Sequence, residues 1–117
     1  MSSHTRAVAE AFSGHRFADA YNSLAPDVRW TTVGGTTTDG KAAVIAVCEE
    51  TLAELETTNT QFTRFVVAAD DATAAVDATG RYTQPDGQVS VVSSCDISEF
   101  RDGLVAQITS YAVEETD

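Results

Sequence analysis

Apolar residues recur at helical spacing in three segments of the chain. Residues 4–13 carry the first stripe, and Gly14 is a typical stop signal after it. A second helix is predicted over 16–24, before Pro26, and a third over about 40–56, where glutamates cover the remaining face. The three stripes are Val8, Ala11 and Phe12; then Phe17, Ala20, Tyr21 and Leu24; and lastly Val44, Val47, Cys48, Thr51, Leu52 and Leu55.

Alternating polar and apolar residues predict β-strands through the rest of the chain. The segment QPDGQ at 84–88 has the proline and Asp-Gly chemistry of a tight hairpin, and RDG at 101–103 is a second turn. GGTTTDG at 34–40 is predicted to be a loop. The predicted strands are 27–33, 61–69, 73–83, 89–101 and 104–115.

Three helices in the N-terminal half, followed by hairpin-linked strands, predict an α+β fold with one domain over residues 1–117. Strands joined by hairpins twist and tend to curl, so we expect a curved antiparallel β-sheet wrapped around the three helices. Such a cone-shaped α+β barrel leaves a space at one end, where a small molecule can bind.

The charge balance narrows the choice of partners. Eighteen Asp and Glu residues stand against seven Lys and Arg, which gives a net charge of −11. Such a surface repels phosphate groups, so we expect neither nucleic acid nor a membrane as a partner. The sequence shows no secretory signal and no apolar run near the roughly 18 residues of a membrane span, so we expect a cytoplasmic protein.

The cysteines and histidines show no pattern of a metal centre or a disulfide framework. Cys48 and Cys95 lack C-x-x-C spacing and are expected to be buried, reduced thiols. His4 lies near a terminus, and His15, next to Gly14, is interpreted as a solvated turn residue. His, Cys and carboxylate residues do not cluster at the spacing of metal ligands, so we expect no metal and no cofactor.

A carboxylate, Asp96, lies in the middle of the predicted strand 89–101. Neighbouring side chains of a strand point in opposite directions. The face that contains Asp96 also contains Ser94, Ser98 and Phe100. This face either meets water or lines the pocket, and the pattern alone allows both. The orientation of Asp96 is therefore the main question about function.

Three stretches of the sequence resemble the nuclear transport factor 2-like superfamily: VAEAFSGHRFADAYNSLAPDVRWTTVGG, TDGKAAVIAV and CDISEFRDGLVAQITSY. They match its two opening helices with the entry into the first strand, its next helix start, and its final hairpin. The SnoaL-like branch, with its polyketide cyclases, is the most similar in appearance. The resemblance implies a cystatin-like barrel, with a curved sheet around three helices and an enclosed pocket. It also implies a homodimer through the outer face of the sheet.

The resemblance places Asp96 at a functional position. Ketosteroid isomerases use a carboxylate base with a tyrosine and a protonated aspartic acid as donors. Their donor aspartate falls on Asp96, but their base falls near Thr32 and their tyrosine near Val8, so steroid isomerisation is not expected. SnoaL-like cyclases are implied to use an acid/base aspartate on a late strand, which matches Asp96. The Asp-Arg-Asp set of related epoxide hydrolases would need Arg81, rather than its neighbour Tyr82, to face inward.

Aromatic and hydroxyl side chains are the candidates to line the pocket around Asp96. Buried Tyr and Trp residues need partners for their polar tips, so they can orient a ligand. Any one of these rings can instead belong to an ordinary core. The candidates are Tyr21, Trp30, Thr32, Phe62, Tyr82, Ser94, Ser98, Phe100 and Ser110.

Three functional hypotheses follow. The first is an enzyme that binds a small apolar oxygenated molecule and uses Asp96 for proton transfer in a cyclisation, isomerisation or dehydration. The alternative is a non-catalytic ligand-binding or dimerisation module, because the base and the tyrosine of ketosteroid isomerases are missing. A third is a protein-interaction role through the face of the sheet.

Overall fold

The structure, a computed structural model, describes residues 3–115, which fold into two α-helices and six β-strands. The helices are α1 (Ser3–Ser13) and α2 (Lys41–Leu55). The strands are β1 (Leu24–Thr32), β2 (Thr37–Asp39), β3 (Asn59–Ala69), β4 (Thr73–Thr83), β5 (Val89–Arg101) and β6 (Leu104–Glu115). The strands form one sheet in the order β2-β1-β6-β5-β4-β3.

The sheet is mixed rather than antiparallel throughout, because β1 and β6 run parallel. The other neighbouring strands pair in the antiparallel direction. The prediction of an antiparallel sheet is therefore wrong at this one pair. Parallel neighbours need a long connection between them, and here that connection is the whole stretch from β2 to β5.

Two 3-10 turns, Phe17–Asp19 and Tyr21–Ser23, replace the helix predicted over 16–24, so the fold has two α-helices and not three. Leu24 already has extended backbone angles and begins β1. The segment is short for an independent helix, and Ala25 precedes a proline, which disfavours helical angles. The apolar spacing still identified buried positions, since a 3-10 turn also places residues i and i+3 on one side.

The other elements agree with the sequence patterns. α1 and α2 confirm the helices predicted over 4–13 and 40–56, and the hairpin-linked strands are present as predicted. β2 was not predicted, because its three residues lie in a segment rich in glycine and short polar side chains. Among the helices of residues 3–115, none is long and apolar enough to cross a membrane.

The core lies between the two helices and the inner face of the sheet. Its main cluster includes Phe12 of α1, Val28 of β1, Val44 of α2 and Ile108 of β6. A second cluster lies under α1, where Ala9 meets small side chains of β4. Because these side chains are small, α1 packs close to the sheet, and its last residues reach β5 and β6. The residues of β4 in this cluster are Ala74, Val76 and Ala78.

Candidate functional site

Asp96 points from β5 into the space between the sheet and the end of α1. Its Oδ1 accepts a 2.6 Å hydrogen bond from the hydroxyl of Ser110, its cross-strand neighbour on β6. Its Oδ2 accepts a 2.7 Å hydrogen bond from the hydroxyl of Ser13, at the C-terminal end of α1. The strand pattern left two orientations open, and the structure has the inward one.

Trp30 of β1 extends this network to a fourth element. Its indole Nε1–H donates a 2.9 Å hydrogen bond to Ser110 Oγ, which in turn donates to Asp96. Donors in such a chain polarise one another and strengthen the last hydrogen bond. Both carboxylate oxygens of Asp96 thus accept hydrogen bonds, the only role that an ionised carboxylate can take. The side chain is held in one orientation by groups from α1, β1 and β6.

A cavity of about 250 Å³ opens beside this carboxylate. Its walls come from the end of α1, the turn after it, α2, and the inner face of strands β1 and β3–β6. The lining side chains are mainly aromatic or carry hydroxyls, and Asp96 is the one carboxylate among them. The lining residues are Phe12, Ser13, His15, Phe17, Trp30, Thr32, Thr51, Phe62, Tyr82, Val92, Ser94, Asp96, Ser110, Tyr111 and Ala112.

His15 lines the cavity, so its interpretation as a solvated turn residue is wrong. Its backbone is in the left-handed region, with φ of 64°, directly after the turn that Gly14 makes at the end of α1. Its ring packs against Phe17, Phe62 and Tyr82, with centroids 5.7, 5.5 and 6.2 Å away. Burial lowers the pKa of His15, and the nearby charge of Asp96 opposes that shift only in part. The imidazole is therefore neutral at neutral pH.

Tyr82 occupies the cavity wall above a glycine of its own strand. A Cβ at Gly80 would lie 2.8 Å from Tyr82 Oη, so only glycine lets the ring take this position. Burial, and then the charge of Asp96, raise the pKa of Tyr82. Its neighbour Arg81 is exposed. The Asp-Arg-Asp arrangement of epoxide hydrolases therefore does not form around Asp96.

Seven of the sequence-predicted site residues lie in the cavity wall and three lie elsewhere. Tyr21 donates a 2.6 Å hydrogen bond to Glu49 near the protein surface. Ser98 is only 2% exposed, and Phe100 packs against both core clusters. Both share the strand face of Asp96 but lie roughly 7 and 14 Å further along β5, under α1 and not beside the cavity. The seven in the wall are Trp30, Thr32, Phe62, Tyr82, Ser94, Asp96 and Ser110.

Sequence reasoning missed Ser13 and His15, the residues that α1 and its turn contribute to the site. Ser13 lies 83 positions from Asp96 in the chain, so no local pattern connects them. A signal for His15 did exist, because a histidine after a helix-ending glycine tolerates left-handed backbone angles that most residues avoid. The remaining missed residues are Phe12, Phe17, Thr51, Tyr111 and Ala112.

The cysteines do not take part in this site. Cys48 of α2 is a buried free thiol, and burial raises its pKa to about 12. Cys95 is free as well, and burial raises its pKa. Thiols with raised pKa values are poor nucleophiles at neutral pH. Within residues 3–115, His, Cys, Asp and Glu side chains do not gather in a group that could hold a metal ion.

A family model described as a SnoaL-like domain matches residues 5–108. The chain therefore belongs to the SnoaL-like domain family, and the resemblance noted in its sequence is confirmed. Among curated proteins, none matches this sequence.

Solved structures share the fold. An NTF2-like (nuclear transport factor 2-like) protein of unknown function from Cytophaga hutchinsonii is 26% identical, with a TM-score of 0.84 over 97% of this chain and 99% of that one. A proposed polyketide cyclase from Xanthomonas campestris is 22% identical, with a TM-score of 0.71 over 92% and 86%. A proposed ketosteroid isomerase from Kribbella flavida is 22% identical, with a TM-score of 0.68 over 99% and 82%. These likenesses show an α+β fold of the NTF2-like kind.

Proposed function

We propose that this protein is an enzyme that holds a small, apolar, oxygenated molecule in the cavity and uses Asp96 for proton transfer. The reaction class is a cyclisation, isomerisation or dehydration. Each of these needs a group that takes a proton from one atom of the substrate and returns it to another. Asp96 is the carboxylate of the cavity wall that can do so.

The observation that carries this proposal is the pair of hydrogen bonds from Ser13 and Ser110 to the two oxygens of Asp96. They hold a carboxylate at a fixed place beside apolar walls, and a reacting group gains most when its position is set before the substrate arrives. A ligand that displaces water from these walls lowers the local dielectric constant, which strengthens the electrostatic effect of the charge on that ligand. The Xanthomonas and Kribbella proteins are named as a cyclase and an isomerase, two of the reaction classes proposed here.

The sequence provides a built-in probe for a test. Trp30 is the only tryptophan and it lines the cavity, so its fluorescence reports ligand binding directly. A set of small cyclic ketones, lactones and alcohols is screened by Trp30 quenching, and the compounds that bind are then followed for conversion by NMR. Asp96→Asn should keep binding and lose turnover. Asp77→Asn, which removes an exposed carboxylate of β4 that pairs with Arg64, is the matched control and should keep both.

A second candidate is a ligand-binding module without catalysis. It is favoured by the fact that Asp96 joins α1, β5 and β6 through its two serine partners, as a purely structural carboxylate would. This alternative predicts that Asp96→Asn lowers the unfolding temperature and that no bound compound is converted by the wild-type protein. Conversion that is lost in Asp96→Asn while Trp30 quenching is retained rules it out.

We further propose that the outer face of the sheet pairs with a second copy of the chain. Val113 of β6 is 66% exposed, and by alternation it lies on the face opposite Ser110. Ile97 of β5 lies on the same outer face, beside Thr109. Apolar side chains on this outer face, in a chain with a net charge of −11, favour a neutral contact between copies.

A further inference from the structure

Two polar groups in the cavity wall are left unused by the hydrogen-bond network around Asp96. They are the imidazole of His15 and the hydroxyl of Tyr82. The donor hydrogens of Ser13, Ser110 and Trp30 are already used in hydrogen bonds within this network. Within the part of the chain that the structure describes, neither the imidazole of His15 nor Tyr82 Oη has a hydrogen-bond partner in the protein. Both are therefore free to bind an atom of a ligand.

Both groups are hydrogen-bond donors in the state that they have at neutral pH. Burial lowers the pKa of His15, so the ring is neutral and carries one N–H. Burial and the charge of Asp96 raise the pKa of Tyr82, so its phenol keeps its proton. The cavity thus contains one negative charge, on Asp96, and two neutral donors.

The two donors are also fixed in place and lie next to each other. The rings of His15 and Tyr82 are 6.2 Å apart, and the His15 ring is packed against Phe17 and Phe62 on its other sides. The left-handed backbone of His15 is a rare conformation that directs its ring into the cavity. On β4, the bare surface of Gly80 holds the Tyr82 ring at close approach.

We propose that His15 and Tyr82 are catalytic residues that donate hydrogen bonds to the carbonyl oxygen of a substrate whose neighbouring carbon faces Asp96. The substrate class is then a ketone or ester with an acidic C–H bond next to the carbonyl group. This inference rests on the proposed role of Asp96 in proton transfer. It adds the donors that stabilise the negative charge on the carbonyl oxygen as the proton leaves.

The step balances within the site. An oxygen of Asp96 takes the proton from the carbon next to the carbonyl, and the electrons of that C–H bond form a carbon–carbon double bond. The π electrons of the carbonyl move onto its oxygen, where the His15 N–H and the Tyr82 O–H stabilise the enolate. Asp96 then returns the proton to the same or to a conjugated carbon. In a cyclisation, the enolate carbon instead bonds to a second carbonyl carbon of the same molecule, the π electrons of that carbonyl move onto its oxygen, and Asp96 gives the proton to this alkoxide. Nothing is oxidised or reduced overall.

This arrangement differs from the one that the resemblance to ketosteroid isomerases implied. There the aspartate at the position of Asp96 is a donor, and the base and tyrosine fall near Thr32 and Val8, where this chain has neither. Here Asp96 accepts two hydrogen bonds, as a base does, and the donors come from the turn after α1 and from β4. The chain thus meets the same chemical need with different residues.

The experiment uses acetophenone as a probe, because it has one carbonyl group and exchangeable hydrogens beside it. Binding is followed by Trp30 fluorescence, the carbonyl stretch of the bound probe by infrared difference spectroscopy, and exchange of its methyl hydrogens in D₂O by NMR. Tyr82→Phe removes one hydroxyl, and His15→Asn keeps a residue that tolerates left-handed angles while removing the ring. Tyr21→Phe, outside the cavity, is the matched control.

We expect the carbonyl stretch of the bound probe to move to lower frequency in the wild-type protein and back toward its value in an apolar solvent in Tyr82→Phe and His15→Asn. Exchange should fall by about 10²–10³-fold in either variant, the usual effect of removing one such donor, and should be unchanged in Tyr21→Phe. An unshifted stretch in the wild-type protein, or failure of acetophenone to bind, overturns the inference. So does a stretch that neither variant alters.

The same data separate this inference from the role of Asp96. If Asp96→Asn abolishes exchange while Tyr82→Phe and His15→Asn retain it, the proposed function stands and the two donors have no part in it. If Asp96→Asn exchanges at the wild-type rate, the proposed function itself fails. Should His15→Asn not fold, the isosteric Tyr82→Phe decides the outcome by the infrared shift alone.

Discussion

Asp96 and Ser110 face each other across β5 and β6, and the Ser110 hydroxyl donates to Asp96 Oδ1 at 2.6 Å while it accepts from Trp30 Nε1 at 2.9 Å. One hydroxyl thus serves a carboxylate and an indole at the same time. Trp30 and Ser110 are 80 positions apart in the chain, so this contact forms only when β1 has paired with β6.

Replacing Ser110 by alanine should therefore leave two polar groups without a partner. We expect Ser110→Ala to lower the free energy of unfolding by about 1–3 kcal/mol, the typical cost of an unsatisfied buried group. The measurement is urea denaturation followed by Trp30 fluorescence. Thr109→Ala, the next residue on the outer face, is the control and should change stability by less than about 0.5 kcal/mol. Equal effects of the two substitutions would argue against the network.

Adding a methyl group at Gly80 should displace the Tyr82 ring. The new Cβ would lie 2.8 Å from Tyr82 Oη, a distance that the ring can relieve only by moving into the cavity. We expect Gly80→Ala to cost about 1–3 kcal/mol, as overpacking does, and to abolish ligand quenching of Trp30. Gly35→Ala meets only ordinary contacts at 3.5 Å and should leave ligand binding intact. Restored folding stability in Gly80→Ala combined with Tyr82→Ala would identify the ring as the cause, and its absence would contradict this explanation.

Protonation of His15 should make the protein less stable in mild acid. Its pKa is lowered in the folded state by burial, and the charge that faces it, on Asp96, only partly opposes this. As the pH falls through about 6.5, His15 therefore binds a proton in the unfolded chain but stays neutral in the folded protein. The free energy of unfolding decreases as a result. Wild-type protein should lose more stability than His15→Asn between pH 7.5 and pH 5.5 in urea titrations. Parallel curves for the two proteins would contradict the burial of this ring. Asp27 and Asp70, whose pKa values are lowered by a hydrogen bond from Arg101 and by backbone N–H groups respectively, titrate below this range.

A charge on the outer face of the sheet should separate the proposed dimer. Val113→Glu adds a carboxylate where the side chain is 66% exposed, and like charges from two copies would then meet across the contact. Light scattering after size exclusion should show a dimer for the wild-type protein and a monomer for Val113→Glu. Val33→Glu, at a position 50% exposed in the turn after β1, should remain dimeric. A monomeric wild-type protein would contradict the proposed dimer and would leave the function proposed for the cavity unaffected.

The sequence predicted those parts of the fold that depend on local chemistry. α2 follows its apolar stripe, and the β4–β5 hairpin follows its Pro-Asp-Gly turn. The stripe over 16–24 was misread because Phe17 and Ala20 are equally well buried by 3-10 turns. β2 was not predicted because its three residues become a strand through pairing with β1 and have little strand preference of their own.

The candidate site was predictable only on the strand side. Asp96, Ser94 and Ser110 follow from strand alternation and from the resemblance to a known family. Ser13 and His15 did not follow, because they reach the cavity through the packing of α1 on the small residues of β4. The turn around His15 depends on Gly14, where a Cβ would come within 2.8 Å of the Glu10 carbonyl oxygen.

The parallel pairing of β1 with β6 has a consequence for how the chain folds during synthesis. β1 leaves the ribosome well before β6, so an emerging chain must keep β1 without this neighbour until β6 has been synthesised. Contacts of such long range slow folding, because a large loop has to close before they form. Removing β6 would thus separate β1 and β2 from the rest of the sheet, and a nascent chain that still lacks β6 has unpaired strand edges that favour aggregation.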